Sequence, residues 1–146
     1  FEQMIAEDAL IEHACYVGNY YGTPKSYVME QLEAGKNVIL EIEIQGALAV
    51  KEKFPDTLLL FVTPPSAQEL ERRLRGRGTE TDEVIKSRLK RAVEEAEFMD
   101  RYDYILVNDE LETCVQEMHE LIQAQRHKTS QNQEFIVEMK EDLKQF

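Results

Sequence analysis

The chain has 146 residues, 42% of them hydrophobic and 32% charged, with a formal net charge of -12. That length makes one domain, or most of one, with a core of its own, and so acidic a chain is excluded as a non-specific binder of nucleic acid. Cys15 and Cys114 are too few for a disulfide framework and suggest a reducing cytoplasm; no apolar run approaches the roughly 20 residues of a membrane span, and no signal peptide is visible.

The first residue is Phe1 rather than Met, and Phe1, Met4 and Ile5 already carry helical spacing, so the chain is expected to begin inside an element, with sequence ahead of it. Residues 1–7 read as the end of a helix. Residues 10–17 read as a strand, with Ile11, Cys15 and Val17 on one face and Glu12, Ala14 and Tyr16 on the other. Gly18-Asn19-Tyr20-Tyr21-Gly22 reads as a turn rich in aromatics. Thr23 and Pro24 then look like the N-cap and first residue of a helix, with Val28, Met29 and Leu32 as its stripe and Gly35 as its stop. The run Val38-Ile39-Leu40 suits a strand buried on both faces of a parallel sheet. It leads into Glu41 and Glu43, which share one face at its C-terminal end. That end is where open α/β sheets bind ligands; the alternative is an edge strand with one solvated face.

A short helix over 45–53 and a second apolar strand over 58–62 follow, closed by Pro64 and Pro65. Ser66 and Glu69 form a capping box for a helix carrying Leu70 and Leu74. Arg75-Gly76-Arg77-Gly78-Thr79 reads as a mobile loop. A long helix over 82–99 turns Val84, Ile85, Leu89, Ala92, Val93 and Ala96 inward. Residues 104–107 make a third core strand ending at Asn108, and Asp109 with Glu112 would cap a helix carrying Leu111, Cys114, Val115, Met118, Leu121 and Ile122. A last amphipathic helix spans 134–143. Strands alternating with helices predict an α/β fold with a parallel sheet.

Four features can carry chemistry. Arg72, Arg73, Arg75 and Arg77, followed by Arg88, form a basic cluster in an acidic chain. Arginine forks match phosphate, and a loop that closes over a transferring group is a recurrent device of phosphoryl transfer. A solvated face neutralised by Glu69, Glu71, Glu80 and Glu83 is equally open. Glu12, with Tyr21 and Thr23 beyond it, offers a carboxylate that accepts two bonds side by side, as the adjacent ring N1–H and exocyclic amine of guanine require; a strand Glu paired to a Lys and a plain N-cap Thr are the alternatives. The pair Glu41/Glu43 is the third feature. Asn108-Asp109 is the fourth, with a simple helix cap as its alternative. His13, His119 and His127 show no metal-ligand spacing.

Taken together, Ile11-Glu12-His13-Ala14, Val17-Gly18-Asn19-Tyr20-Tyr21-Gly22-Thr23, Leu40-Glu41-Ile42-Glu43-Ile44-Gln45-Gly46-Ala47, Pro64-Pro65-Ser66, Arg73-Leu74-Arg75-Gly76-Arg77-Gly78-Thr79-Glu80-Thr81 and Val107-Asn108-Asp109 resemble the guanylate kinases, colinearly and over nearly the whole chain. The resemblance implies the parallel sheet, flanked by helices, of the P-loop nucleoside-monophosphate kinases. On that pattern residues 1–35 are the C-terminal part of a GMP-binding subdomain and 36–146 the core α/β domain, with an Arg-rich lid at about 76–88. It implies transfer of the γ-phosphoryl group of ATP to GMP, giving ADP and GDP, with Mg²⁺ bound to ATP and no metal site of the chain's own. Glu12 matches the residue that holds guanine, Tyr21 one that bonds the GMP phosphate, and Thr23 one that bonds the guanine oxygen. Glu41 and Glu43 stand beside GMP and the metal, where many members have Asp. Arg73, Arg77 and Arg88 match the arginines that gather the phosphates when the lid closes. Asn108 matches a residue close to the adenine of ATP.

The family's phosphate-binding loop, G-x-x-x-x-G-K-[ST], would fall before Phe1. The parent is therefore expected to be a guanylate kinase, and the isolated 146-residue chain to be poorly stable and inactive. Guanylate-kinase-like scaffold modules, which bind phosphopeptides without catalysis, are a second reading; they generally lose the lid arginines and the acidic strand, both of which are present. A kinase for AMP is opposed by Glu12, because adenine presents an acceptor at N1. The expected partners are ATP and GMP in the cytoplasm, with neither nucleic acid nor membrane.

Overall fold

In the computed structural model, which describes residues 1–16 and 18–146 and only the backbone of Tyr16, the chain divides into two units, Phe1–Thr57 and Leu58–Phe146. The first opens with helix α1, Glu2–Ala6, and reaches strand β1, Leu10–Tyr16, through Asp8 at φ 54°. That left-handed conformation is one a short polar side chain tolerates. Strand β2, Asn19–Pro24, returns antiparallel to β1 past Gly18 at φ 76°.

This hairpin corrects two expectations. Residues 19–22 are strand rather than turn, because Tyr20, Tyr21 and Thr23 favour a pleated surface, and of the described residues Gly18 alone remains in the reversal, with a positive φ. Thr23 lies in β2 instead of capping the helix that follows. Pro24 is the N-cap of helix α2, Lys25–Glu33, with no side-chain cap bond. The stop at Gly35 is as expected: at φ 80° it lets its own N–H reach Leu32 O and the N–H of Lys36 reach Gln31 O, the paired bonds of a Schellman motif. Burial in β1 runs along the strand rather than across it. Leu10, Ile11 and Glu12 are buried while His13 and Cys15 are exposed, since α2 and the helix over Ile44–Lys53 pack on it and its register shifts between Leu10 and Glu12. The expected place of Val17 lies outside the described residues.

The stretch expected to be a core strand at 38–43 has no strand pairing among the described residues. Val38, Leu40 and Ile42 pack against Ile11, Val28 and Val50, whereas Ile39 is 70% exposed and Glu41 and Glu43 are exposed beside it. One face is covered, so the alternation is that of a one-sided segment; the solvated-face alternative is nearer the structure. Helix α3, Ile44–Lys53, follows with Glu43 as its N-cap.

The second unit holds strands β3, Leu60–Thr63, and β4, Tyr104–Val107, paired in parallel with Val62 opposite Leu106. Between them run α4, Ala67–Gly76, and α5, Asp82–Ala96, which pack on each other, and a 3-10 turn at Met99–Arg101. Helices α6, Leu111–Ala124, and α7, Gln133–Leu143, complete it, with α6 packed on β4. The architecture is α/β with a parallel pair flanked by helices. Helix α4 extends through Gly76, so the loop read as starting at Arg75 begins later. Ser66 Oγ accepts from the N–H of Glu69 at 3.1 Å, but the Glu69 side chain turns to arginines, leaving half a capping box. Glu110, not Asp109, is the N-cap of α6, and it has no side-chain cap bond.

The strands and α5 are less covered than their apolar runs predict. Val62, Tyr104, Ile105 and Val107 are exposed, as are Val84 and Val93 of α5, whose one buried residue is Ile85. In a two-stranded sheet each strand is an edge, and one side of β4 is what α6 covers. The start of the parallel pair is tied by Asp103, whose Oδ2 accepts from Leu59 N at 2.8 Å while its own N–H donates to Leu59 O at 3.0 Å. Leu106, 2% exposed, is the innermost side chain. Leu106→Ala should lower the unfolding free energy by about 3 kcal/mol, the scale of a large-to-small change with a residual cavity; urea denaturation measures it, and a loss below about 1 kcal/mol would mean that Leu106 lies outside the core.

Candidate functional site

The β1/β2 hairpin sets three of the predicted side chains on one face. Glu12 pairs with Thr23 and Ala14 with Tyr21 across the strands, and directly opposite residues, like those two apart, project to the same side. Glu12 is 8% exposed, the one buried charged side chain among the described residues. Thr23 Oγ1 donates to Glu12 Oε1 at 2.8 Å; a charge-assisted bond of this kind offsets part of the desolvation of the carboxylate. Among the described residues no lysine is paired to Glu12, which disfavours that alternative. Tyr21 is 55% exposed, its ring free to meet a ligand.

The other oxygen of Glu12 faces the first turn of α3. A Cβ built on Gly46, the third residue of that helix, would lie 2.9 Å from Glu12 Oε2. Gly46 falls inside the motif over 40–47, where it carries no expected role of its own. A signal was available: glycine inside a helix is disfavoured by about 1 kcal/mol relative to alanine, so its place in the predicted helix 45–53 called for a reason. Glu41 and Glu43 both flank the entry to α3 from the exposed side of their segment.

In the second unit, the C-terminal ends of β3 and β4 border a cleft of about 190 Å³ lined by Thr63, Asn108, Arg73, Arg77, Leu70 and Leu74, among others. That volume takes part of a ligand, since sites for whole small molecules usually run to about 300 Å³ or more. The N–H of Asn108 donates to Thr63 O at 2.7 Å, continuing the ladder past both strands. Arg73 clamps the same turn: Nη1 donates to Asn108 O at 2.8 Å, Nη2 to Asp109 O at 3.3 Å, and Nε to Glu69 Oε1 at 2.9 Å. One guanidinium thus joins α4 to the end of β4. Arg77, the C-cap of α4, lines the cleft and is exposed, and its side chain makes no hydrogen bond or ion pair among the described residues.

The neutralising partners foreseen for the cluster are largely in place. Glu69 binds Arg72 and Arg73, Glu71 binds Arg75, and Glu80 binds Arg88 at 2.8 Å; Asp82 joins Arg75 at 2.7 Å. Such half-exposed pairs contribute little each, and a phosphate can compete for them. Glu80 Oε2 is buried without a hydrogen-bond partner among the described residues. Also among the described residues, no three His, Cys, Asp or Glu side chains converge on a metal-ion site, and no helix is long and apolar enough to cross a membrane.

The family model "Guanylate kinase" matches residues 1–125. The chain belongs to the guanylate kinase family. It is 49% identical over 144 residues to the guanylate kinase of Lactococcus lactis, an alignment covering 99% of this chain and 70% of that protein. It is 52% identical over 128 residues to the guanylate kinase of Bacillus subtilis, covering 88% of this chain and 63% of that one. The crystal structure of guanylate kinase from Anaplasma phagocytophilum superimposes with a TM-score of 0.71 at 30% identity, covering 88% of this chain and 62% of that chain. The chain thus spans about two thirds of the length of these guanylate kinases.

The Glu69 carboxyl sits at about 2, down from 4.5; the bond from Arg72 is the main cause, desolvation opposes it, and Arg73 adds to the lowering. A folded-state value below the unfolded one stabilises at pH above about 4.5 and loses that contribution as pH falls toward 2. Glu69→Gln should therefore lower Tm slightly at pH 6, with the difference from wild type closing between about pH 4.5 and 2. A Tm difference constant with pH would mean that the Glu69 charge carries none of it.

Proposed function

We propose that the whole protein transfers the γ-phosphoryl group of ATP to GMP, giving ADP and GDP, and that this chain supplies the base-recognition carboxylate and the phosphate-gathering arginines. The observation that carries the reading is the buried Glu12 carboxylate with the Thr23 hydroxyl on Oε1. The Thr23 hydroxyl donates to an oxygen that guanine would also use. On binding, N1–H and the exocyclic amine of guanine would donate to the two Glu12 oxygens. The Thr23 proton, released from Oε1, would turn to the guanine carbonyl oxygen. Tyr21 on the same face would reach the GMP phosphate, and Glu41 and Glu43 would flank the nucleotide.

Residues 1–35 would then belong to the GMP-binding part and 36–146 to the core, with the lid at about 76–88. The cleft at the ends of β3 and β4 suits the ATP side, with Asn108 near the adenine. The side chain of Arg77, unpaired among the described residues, is the readiest to meet a phosphoryl group; Arg88 would leave its surface partner Glu80 to join it, and Arg73 would leave Glu69 and the carbonyls of Asn108 and Asp109. Mg²⁺ would enter with ATP. Glu41, exposed beside α3, is the carboxylate on offer, and the ion would neutralise phosphate charge. Free thiols at Cys15 and Cys114 support a cytoplasmic setting. Nothing observed favours the phosphopeptide-binding alternative.

The reading is tested on the whole protein by following ADP and GDP formation from ATP and GMP chromatographically, with AMP as the competing acceptor; no GDP would overturn it. Arg77→Ala should lower kcat by about 10²-fold, the scale of one strong transition-state contact, with Tm unchanged, and a normal kcat would return Arg77 to the solvated face. Glu12→Gln should lower kcat/KM for GMP by about 10²-fold and narrow the preference over AMP, with KM for ATP unchanged. An unaltered GMP/AMP ratio would place base selection elsewhere.

A further inference from the structure

We infer that Gly46 is a positioning residue for base recognition: its missing side chain leaves the space in which the Glu12 carboxylate is seated, and so sets the aim of Glu12 at the base. The inference rests on the reading of Glu12 as the guanine ligand and adds to it the residue that holds that ligand in place.

Gly46 is buried in the first turn of α3. Its φ is not among the positive ones, which belong to Gly18, Gly35 and Gly78. The backbone therefore gives no reason for glycine there, and alanine would be the better helix former. Space gives the reason. A Cβ at Gly46 would stand 2.9 Å from Glu12 Oε2 and 3.5 Å from Glu12 Cδ, with Ile42 Cδ1 at 3.4 Å. The Ile42 contact is ordinary packing; the approach to Oε2 is one that real Cβ atoms do not make. The carboxylate ends a flexible side chain and can swing away, but only by bending or giving up the bond that Oε1 accepts from Thr23 Oγ1 at 2.8 Å on its other side. A methyl at position 46 must turn the carboxylate, break the Thr23 bond or shift the first turn of α3. Each of these redirects the two oxygens that a purine edge would meet.

The test compares Gly46→Ala, Glu12→Ala and the double variant in the whole protein, by steady-state kinetics with GMP and AMP and by thermal unfolding. Gly46→Ala should raise KM for GMP by about tenfold or more, since misplacement of a binding group by a fraction of an ångström is felt at that scale. KM for ATP and Tm should hold, and the preference for GMP over AMP should narrow. In the Glu12→Ala background, Gly46→Ala should add nothing further to KM for GMP, because the group it displaces is gone. If Glu12→Ala raises KM for GMP and Gly46→Ala leaves it unchanged, the inference is overturned while the guanine reading stands. If Gly46→Ala weakens GMP and ATP alike with a fall in Tm, or adds its full effect on top of Glu12→Ala, the glycine is a packing residue and the inference is again overturned. If Glu12→Ala itself leaves KM for GMP unchanged, the guanine reading fails and takes the inference with it.

Discussion

A carboxylate buried in a strand constrains much of the first unit. Desolvation of Glu12 has to be offset, which one hydroxyl does in part, and the seat of the carboxylate is set from three directions. The antiparallel register puts the Thr23 hydroxyl opposite. The first turn of α3 leaves room at Gly46. The cluster of Ile11, Val28 and Val50, flanked by Val38, Leu40 and Ile42, anchors the residue next to Glu12 and the segment that leads into α3. A group that is expensive to bury and only partly satisfied by its own chain is disposed to accept donors from a ligand. In this sense stability and recognition are opposed at one residue, and the hairpin is where they are reconciled.

The second unit solves a different problem, that of keeping many arginines on an acidic chain without fixing them permanently. Four of the five arginines in the run and beyond it, Arg72, Arg73, Arg75 and Arg88, rest on carboxylates at a half-exposed surface, where pairs are weak and exchangeable. Arg73 is the exception in its reach. By donating to two carbonyls of the turn after β4 as well as to Glu69, it couples α4 to the ligand-facing end of the sheet. Movement of α4 would therefore be felt at Asn108, a link between the arginine helix and the cleft floor that does not depend on any bound group.

Much of this was legible in the residues. The helices, the parallel pair of β3 and β4, the Ser66 cap, the Gly35 stop and the span of β4 follow from periodicity and from residues whose preferences are local. The family, too, could be recognised from motifs alone, because each is a short string whose spacing survives without coordinates. What sequence misjudged was coverage. The run at 38–40 and the strands at 60–63 and 104–107 are apolar enough for burial on two faces, yet burial is decided by what lies alongside, and a run of hydrophobic residues carries no record of its neighbours.

Thr23 marks the boundary most clearly. Its position before Pro24 made it look like a helix cap, a local role; only the pairing of β1 with β2, eleven residues apart at that point, turned its hydroxyl toward Glu12. Gly46 is the same lesson from the opposite side, a residue whose meaning is the absence of a side chain in front of a carboxylate 34 positions away in the chain. The sequence by itself determined the helices, the parallel pair, the charge pattern and the family, since those are set by interactions within a few residues. The tertiary structure decided which groups face each other, because contact between distant residues depends on register and packing, and neither is written in any one stretch of the chain.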